Sequence, residues 1–363
     1  LKALAEIQAS IRRKGADALL VNQPENRRYL SGYTASDLSI AESSGALLVP
    51  GRNPPFLLTD SRYLLQAENE APGYEVVLVR GSLLEALKKI LPQQNFRRLA
   101  FESHAMLHST AMKLLDWGQK HGVEMMPVSG MVEKLRLRKS REEIEKIERS
   151  VLLNEKVFQE IFSTLKTGQT EREVALAIES TMMRRGAEAT AFPTIVAAGP
   201  NGALPHAVPS ERKIKEGETI IIDMGLKLDG YCSDMTRTVV LGRPDEKTVK
   251  IIRLVRAAQR AACKTIEAGI LARDADRAAR RIIAGAGYGG NFGHGLGHGV
   301  GLAVHEPPSL NRRRRNKLLP GMVVTVEPGI YLPGWGGVRL ENMVVVEEKG
   351  CTILNRDKTF LDL

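Results

Sequence analysis

Cysteine is scarce. Cys232, Cys263 and Cys351 are the only three in 363 residues, and they lie too far apart to form a disulfide framework. Cytoplasm is the compartment this usage suits. Long apolar runs are missing as well, so nothing approaches the length that spans a bilayer and no membrane partner is expected. The opening stretch Leu1–Gly15 reads as an amphipathic helix, with Leu4, Ile7 and Ile11 on one face, and lacks the continuous apolar core of a signal peptide. Acidic residues are outnumbered, 42 against 52 basic ones, giving a net charge of +10. Such a balance raises nucleic acid as a partner. The sharpest basic run, Arg312–Arg315 followed by Lys317, carries no interleaved aromatics, and no zinc finger or RNA-binding signature accompanies it. It reads as a solvated, self-repelling loop, able to concentrate anionic peptides at a nearby mouth.

A 43% hydrophobic and 26% charged chain of this length is ordinary for a globular protein and exceeds a single core. From Asp17 to about Gly130, short apolar runs (Ala18–Val21, Ala46–Val49, Phe56–Thr59, Glu75–Val79, Leu99–Phe101) alternate with helical periodicity at Ser61–Glu70, Ser82–Leu91 and Met106–His121. That pattern predicts a mixed α/β domain over residues 1–130, followed by a linker at 131–139. Ser140-Arg141-Glu142-Glu143 and Thr170-Glu171-Arg172-Glu173 are capping boxes that open two helices. A strand follows at Thr190–Ala198, then further helices at Glu246–Glu267 and Arg273–Ala286, each pair leading into strands. Residues 140–363 therefore read as a second domain of two related halves.

The chemistry is concentrated between Thr219 and Glu341. Ile220-Ile221-Ile222 runs straight into Asp223, and a carboxylate at the end of a buried strand is costly without compensation. If Lys227–Gly230 reverses the chain, residues whose numbers sum to 457 face each other and Asp234 lies across from Asp223. Either one carboxyl holds a proton or a cation lies between them. The device recurs: the apolar strand Met322–Glu327 ends in a carboxylate, a turn spans Leu332–Gly336, and the strand Val338–Val346 carries Glu341 opposite Glu327. Between the hairpins, His294-Gly295-Leu296-Gly297-His298-Gly299 lets imidazole and backbone approach a centre closely. Each residue alone has a plainer reading, as a turn cap or loop histidine. Together, four carboxylates and one imidazole balance two divalent ions, and this oxygen-rich set suits manganese, cobalt, iron or zinc acting hydrolytically. Cys232 is expected on the strand face opposite Asp234, as a packing residue.

The motifs IIIDMGLKLDGYCSDMTRT, HGLGHGVGLAVHEPP, TVEPGIY and GVRLEN resemble those of the pita-bread metallopeptidases, which include methionine aminopeptidase, aminopeptidase P, prolidase and creatinase. The resemblance implies metal ligands at Asp223, Asp234, His298, Glu327 and Glu341, with Asp234 and Glu341 bridging two divalent ions, manganese favoured. Residues 1–130 imply the proline-specific branch, because methionine aminopeptidases generally lack that domain. The implied activity is an exopeptidase that cuts between an N-terminal residue and a following proline, as an Xaa-Pro aminopeptidase or dipeptidase. An aminopeptidase of other specificity is the alternative, and a pita-bread binding protein that has lost its ligands is the competing class.

In the implied roles, Glu327 shuttles a proton to the departing proline nitrogen and His206 donates to the developing oxyanion. His305 contacts the substrate carbonyl, provided the strand from His298 ends near Val304; strict alternation would turn it away. His294 meets the far side of the substrate, a proline carboxylate being one candidate, and Arg339 orients the neighbouring carboxylates. The expected partners are a proline-containing peptide and a second copy in a homodimer. Where many members carry Asp after the last ligand this chain has Asn342, which removes a charge behind Glu341.

Overall fold

A computed structural model describes residues 2–37 and 39–358. The chain divides into two compact units, Leu1–Arg136 and Leu137–Leu363. In the first, a six-stranded sheet runs in the order Glu75–Leu78, Phe56–Thr59, Ala46–Pro50, Ala18–Val21, Arg98–Glu102, Glu124–Val128. Alternation along Ala18–Val21 explains its layers. Ala18 and Leu20 pack with Phe101 and Trp117 on one face, while Leu19 and Val21 pack with Ile7 and Ile11 on the other. Ile7 and Ile11 come from the opening helix, Lys2–Arg13, and residue 1 lies outside the described residues. The short helix Glu133–Arg136 falls within the expected linker, and two further elements escape the sequence reading for plain reasons. Glu124–Val128 contains Met125, Met126 and Pro127, weak strand formers that an edge strand tolerates. Pro24–Ser31 is helical although it buries Asn26 and Arg27 on its inner face, so it carries no apolar stripe.

The second unit is built as two similar halves, the pita-bread arrangement. Ser140 and Thr170 each complete the expected capping box, opening the helices Arg141–Thr164 and Glu171–Arg184. These cover a three-stranded antiparallel sheet of Met235–Val240, Thr219–Met224 and Ile195–Ala198. The second half repeats the plan. Helices Glu246–Thr265 and Ala272–Gly285 pack against a five-stranded sheet ordered Glu306–Leu310, Gly297–Gly299, Val323–Val326, Asn342–Val346, Cys351–Ile353. The strand expected over Thr190–Ala198 is split: Ala189–Thr190 pairs elsewhere, and regular pairing resumes at Ile195, beyond Pro193. Among the described residues, no helix is long and apolar enough to cross a membrane.

Alternation along the central strand aims the first carboxylate. Ile220 and Ile222 enter the core beneath the helices, whereas Ile221 faces the opposite way, toward Ile195, Ala197 and Tyr331. Asp223 shares that second face by period two. In each half, the first long helix sends one buried amide to the strand that carries the carboxylates. Asn154 Nδ2 donates to the Met224 carbonyl (2.8 Å), and Gln259 Nε2 donates to the carbonyls of Val326 (3.1 Å) and Leu340 (3.0 Å). Val326 and Leu340 immediately precede Glu327 and Glu341. Gln259→Leu leaves both carbonyls without their buried donor and is expected to lower unfolding free energy by about 2–3 kcal/mol in urea titrations. A loss below about 0.5 kcal/mol would mean that the amide has no structural role at these strand breaks.

Candidate metal centre

The first hairpin differs in register from the sequence expectation. Asp223 pairs with Thr236, and Leu228 pairs with Tyr231, so the numbers sum to 459 rather than 457. The cause is the turn. Asp229 and Gly230 alone make it, both at positive φ (50° and 83°), the backbone of a tight two-residue hairpin centred one residue later than expected. A shift of two preserves the face, so Asp234 lies diagonal to Asp223 rather than across from it. Cys232 also needs correction. It is two residues from Asp234, and alternation would put both on the same face. A break at Ser233–Asp234 intervenes, and Cys232 Sγ is buried against the Leu302 carbonyl (3.6 Å).

In the second hairpin the expected pairing holds. Val326 pairs with Asn342 and Gly329 with Arg339, a register that sets Glu327 opposite Glu341. The strand expected over Val338–Val346 is nevertheless interrupted at Leu340 and Glu341, where the two flanking strands join different sheets. His305 joins the site for the reason its position required. The strand through His298 stops at Gly299, and the ring of His305 returns edge-on to that of His298, with centroids 4.3 Å apart.

All nine residues singled out from the sequence line one cavity of about 560 Å³: Asp223, Asp234, His298, Glu327 and Glu341, with His206, His294, His305 and Arg339. One ligand atom from each of Asp234, His298 and Glu341 lies within 4.8 Å of the others. His298 Nε2 is 3.6 Å from Asp234 Oδ2 and 3.4 Å from Glu327 Oε1. Arg339 Nη2 donates to Asp223 Oδ2 (2.5 Å), while Asp223 Oδ1 is buried with no hydrogen-bond partner. Thr236 donates to Glu341 Oε2 (2.7 Å), and Thr325 donates to Glu327 Oε1 (3.2 Å).

The electrostatics of this cluster call for a cation. Burial, and then the neighbouring Glu341 charge, hold the carboxyls of Asp234 and Glu327 well above the usual range. Burial and Asp223 push Glu341 up to about 7. Burial, reinforced by His305, pulls His298 down to about 4 and keeps its imidazole neutral. With Nδ1–H directed to the Gly299 carbonyl (3.1 Å), Nε2 presents a lone pair to two carboxylates. That lone pair is satisfied either by a carboxyl proton or by a positive centre standing between the groups. The unpartnered Asp223 Oδ1, that lone pair and the oxygen-rich donor set therefore fit divalent metal.

Without metal, this arrangement has a stability signature. A carboxyl whose folded pKa lies above its unfolded value, near 4, contributes stability at low pH that is lost as the pH rises through the folded pKa. The buried neutral imidazoles of His294 and His298, both lowered to about 4, act in the opposite sense, but only below their unfolded value near 6.5. Above pH 6.5 only the carboxyls are left. Metal-stripped protein is expected to lose about 1.4 kcal/mol per pH unit for each proton the fold still holds, as pH rises from 6.5 to 8. Urea unfolding at the two values measures this loss, and manganese should abolish it. Stability that rises over that window would contradict the assigned environment.

Several residues of the site were not legible beforehand. Tyr331 Oη contacts His294 Nε2 (2.9 Å) and accepts from Arg339 Nη1 (3.0 Å), linking the histidine to the guanidinium that holds Asp223. Thr236 was within reach of sequence reasoning, since period two places it on the Asp234 face. Lys139 Nζ pairs with Glu306 (2.6 Å), both side chains buried, just beyond His305. Nothing in the local sequence around Lys139 signals that long-range partner.

The profile of Metallopeptidase family M24 matches residues 145–348, and that of the Creatinase/Prolidase N-terminal domain matches residues 4–138. The chain is 35% identical over 344 residues to the Xaa-Pro dipeptidase of Pyrococcus furiosus, covering 94% of this chain and 93% of that one. The structure of an Xaa-Pro dipeptidase from Bacillus anthracis superposes with a TM-score of 0.90 at 35% identity, covering 98% of this chain and 97% of that one. An X-Pro aminopeptidase structure from Thermotoga maritima gives a TM-score of 0.86 at 36% identity, covering 96% and 97%.

Proposed function

We propose, from the premise that the chain belongs to metallopeptidase family M24, that it removes the N-terminal residue from peptides whose second residue is proline. The observation that carries this reading is the convergence of four carboxylates and His298 on one cavity whose other wall is apolar. Phe192, Pro193, Ile195, Pro205 and Pro209 make that wall, a surface suited to an imino ring. Relatives named Xaa-Pro dipeptidase and X-Pro aminopeptidase support the specificity.

Asp223, Asp234, His298, Glu327 and Glu341 would hold two divalent ions, with manganese preferred over cobalt, zinc or iron. When bound, the ions supply Lewis acidity, making water reactive at neutral pH and polarising the scissile carbonyl. The remaining work belongs to side chains. Glu327 takes the proton of the attacking water and passes it to the prolyl nitrogen, which bears no hydrogen in the peptide and needs one to leave. His206, exposed at the cavity wall, donates to the oxygen on which charge develops. His305 approaches the substrate carbonyl beside His298. His294 meets the far side of the substrate, fixed between the Gly295 carbonyl and Tyr331. Arg339 orients Asp223.

Manganese-loaded protein is expected to hydrolyse Ala-Pro-Ala or Ala-Pro and to leave Ala-Ala-Ala largely intact. Cleavage of Ala-Ala-Ala with both proline peptides untouched would replace this reading with an aminopeptidase of other specificity. A cytoplasmic homodimer completes the reading. The three cysteines, free thiols in the fold, suit a reducing compartment, and light scattering should give twice the 39.9 kDa chain mass.

A further inference from the structure

Among the described residues, the cavity holds carboxylates in abundance but no lysine or arginine free to meet another. Among its lining residues Arg339 is the single Lys or Arg, and its guanidinium is committed. Nε donates to Thr236 Oγ1 (3.1 Å), Nη1 to the Pro205 carbonyl (3.1 Å) and Tyr331 Oη (3.0 Å), and Nη2 to Asp223 (2.5 Å). Four of its five N–H groups are thus engaged in a residue only 3% exposed. A dipeptide bound with its scissile bond at the carboxylate cluster would bring its own C-terminal carboxylate into this cavity. With the four carboxylic side chains balanced by the two divalent ions proposed above, that charge would find no guanidinium or ammonium free to receive it, only the imidazoles of His206, His294 and His305.

The cations lie one step outside. Asn311 lines the cavity and packs on Gly295, next to His294. Asn311 also opens a tight turn: its carbonyl accepts from Arg314 N–H (3.2 Å) and its Oδ1 accepts from Arg313 N–H (3.1 Å). Arg312, Arg313, Arg314 and Arg315, with Lys317, are all exposed, and no side-chain ion pair neutralises the four arginines among the described residues. Five cations therefore follow directly on a cavity-lining residue. Each further peptide residue would move the terminal carboxylate about 3.3–3.6 Å along an extended chain, away from the carboxylate cluster.

Resting on the Xaa-Pro reading, we infer that the substrates of this site are peptides extended beyond the proline, whose anionic C-terminal part is received by the Arg312–Arg315 turn, and not dipeptides. A carboxylate that finds no free cation inside the cavity finds several at the turn, and salt screens that attraction beyond about 10 Å at 0.1 M.

The test compares kcat/KM for Ala-Pro, Ala-Pro-Ala-Glu and the analogue Ala-Pro-Ala-Gln-NH2, in which both C-terminal carboxylates are amides, using full-length manganese-loaded protein at low and high salt. The tetrapeptide acid is expected to exceed Ala-Pro at least about tenfold, a difference of about 1.4 kcal/mol. The acid-to-amide ratio should be several-fold at low salt, fall at high salt and collapse toward one in R312Q/R313Q/R314Q/R315Q. Ala-Pro cleaved as well as the tetrapeptide would overturn the inference, and so would an acid-to-amide ratio that survives the fourfold variant. Failure of the Xaa-Pro reading shows differently, as preference for Ala-Ala-Ala-Glu over Ala-Pro-Ala-Glu, and leaves the acid-to-amide comparison measurable on the preferred peptide.

Discussion

Glu327→Gln is expected to lower kcat by roughly a thousandfold or more while the protein still takes up metal. The substitution keeps the shape of the side chain, and Thr325 can still donate to its oxygen. What disappears is the proton-accepting group closest to His298 Nε2, and with it the route for a proton from water to the leaving nitrogen. Stopped assays on Ala-Pro-Ala with parallel metal analysis separate the two effects. Near-normal turnover would remove Glu327 from the proton path. Loss of all metal along with activity would make it a ligand first and a shuttle only by inference.

Arg339→Leu is expected to be costly in a way that depends on metal. In the stripped protein Asp223 loses the guanidinium paired with it, and breaking such a buried pair typically costs about 3–5 kcal/mol. Tyr331 and the Pro205 carbonyl lose a donor in the same event. With divalent ions at the site, the charge on Asp223 has another counterion, so the cost of the substitution should shrink. Urea unfolding of wild type and variant, each with and without manganese, reads this as a thermodynamic cycle. An equal cost in both states would mean that Arg339 does not share Asp223 with a metal.

The carboxylates were readable in the sequence because they violate a local rule: apolar strands that end in buried charge need a reason. Four such carboxylates, with His298 between glycines, mark this stretch as the candidate site. Register was less secure, because it hangs on turn geometry. One extra residue in the Lys227–Gly230 estimate moved Asp234 from direct to diagonal partner of Asp223, and only the period of two kept both on the same face. The second hairpin was placed correctly because the Leu332–Gly336 turn is centred where its Pro-Gly composition suggests. Strand breaks at Ser233–Asp234 and at Leu340–Glu341 were invisible, since the residues on both sides read as continuous strand. Those breaks let side chains from separate sheets meet. The supporting contacts, Gln259 with two strand carbonyls and Tyr331 between His294 and Arg339, join residues 67 to 81 and 8 to 37 positions apart. No local pattern encodes such partners.

The central claim is that these scattered side chains close around a pair of divalent ions. Anomalous diffraction from manganese-loaded crystals tests it most directly. Two manganese peaks are expected in the cavity of each chain, both within bonding distance of Asp234 and Glu341 and one beside His298. Full loading with no peak among these residues, or with peaks only elsewhere on the molecule, would contradict it.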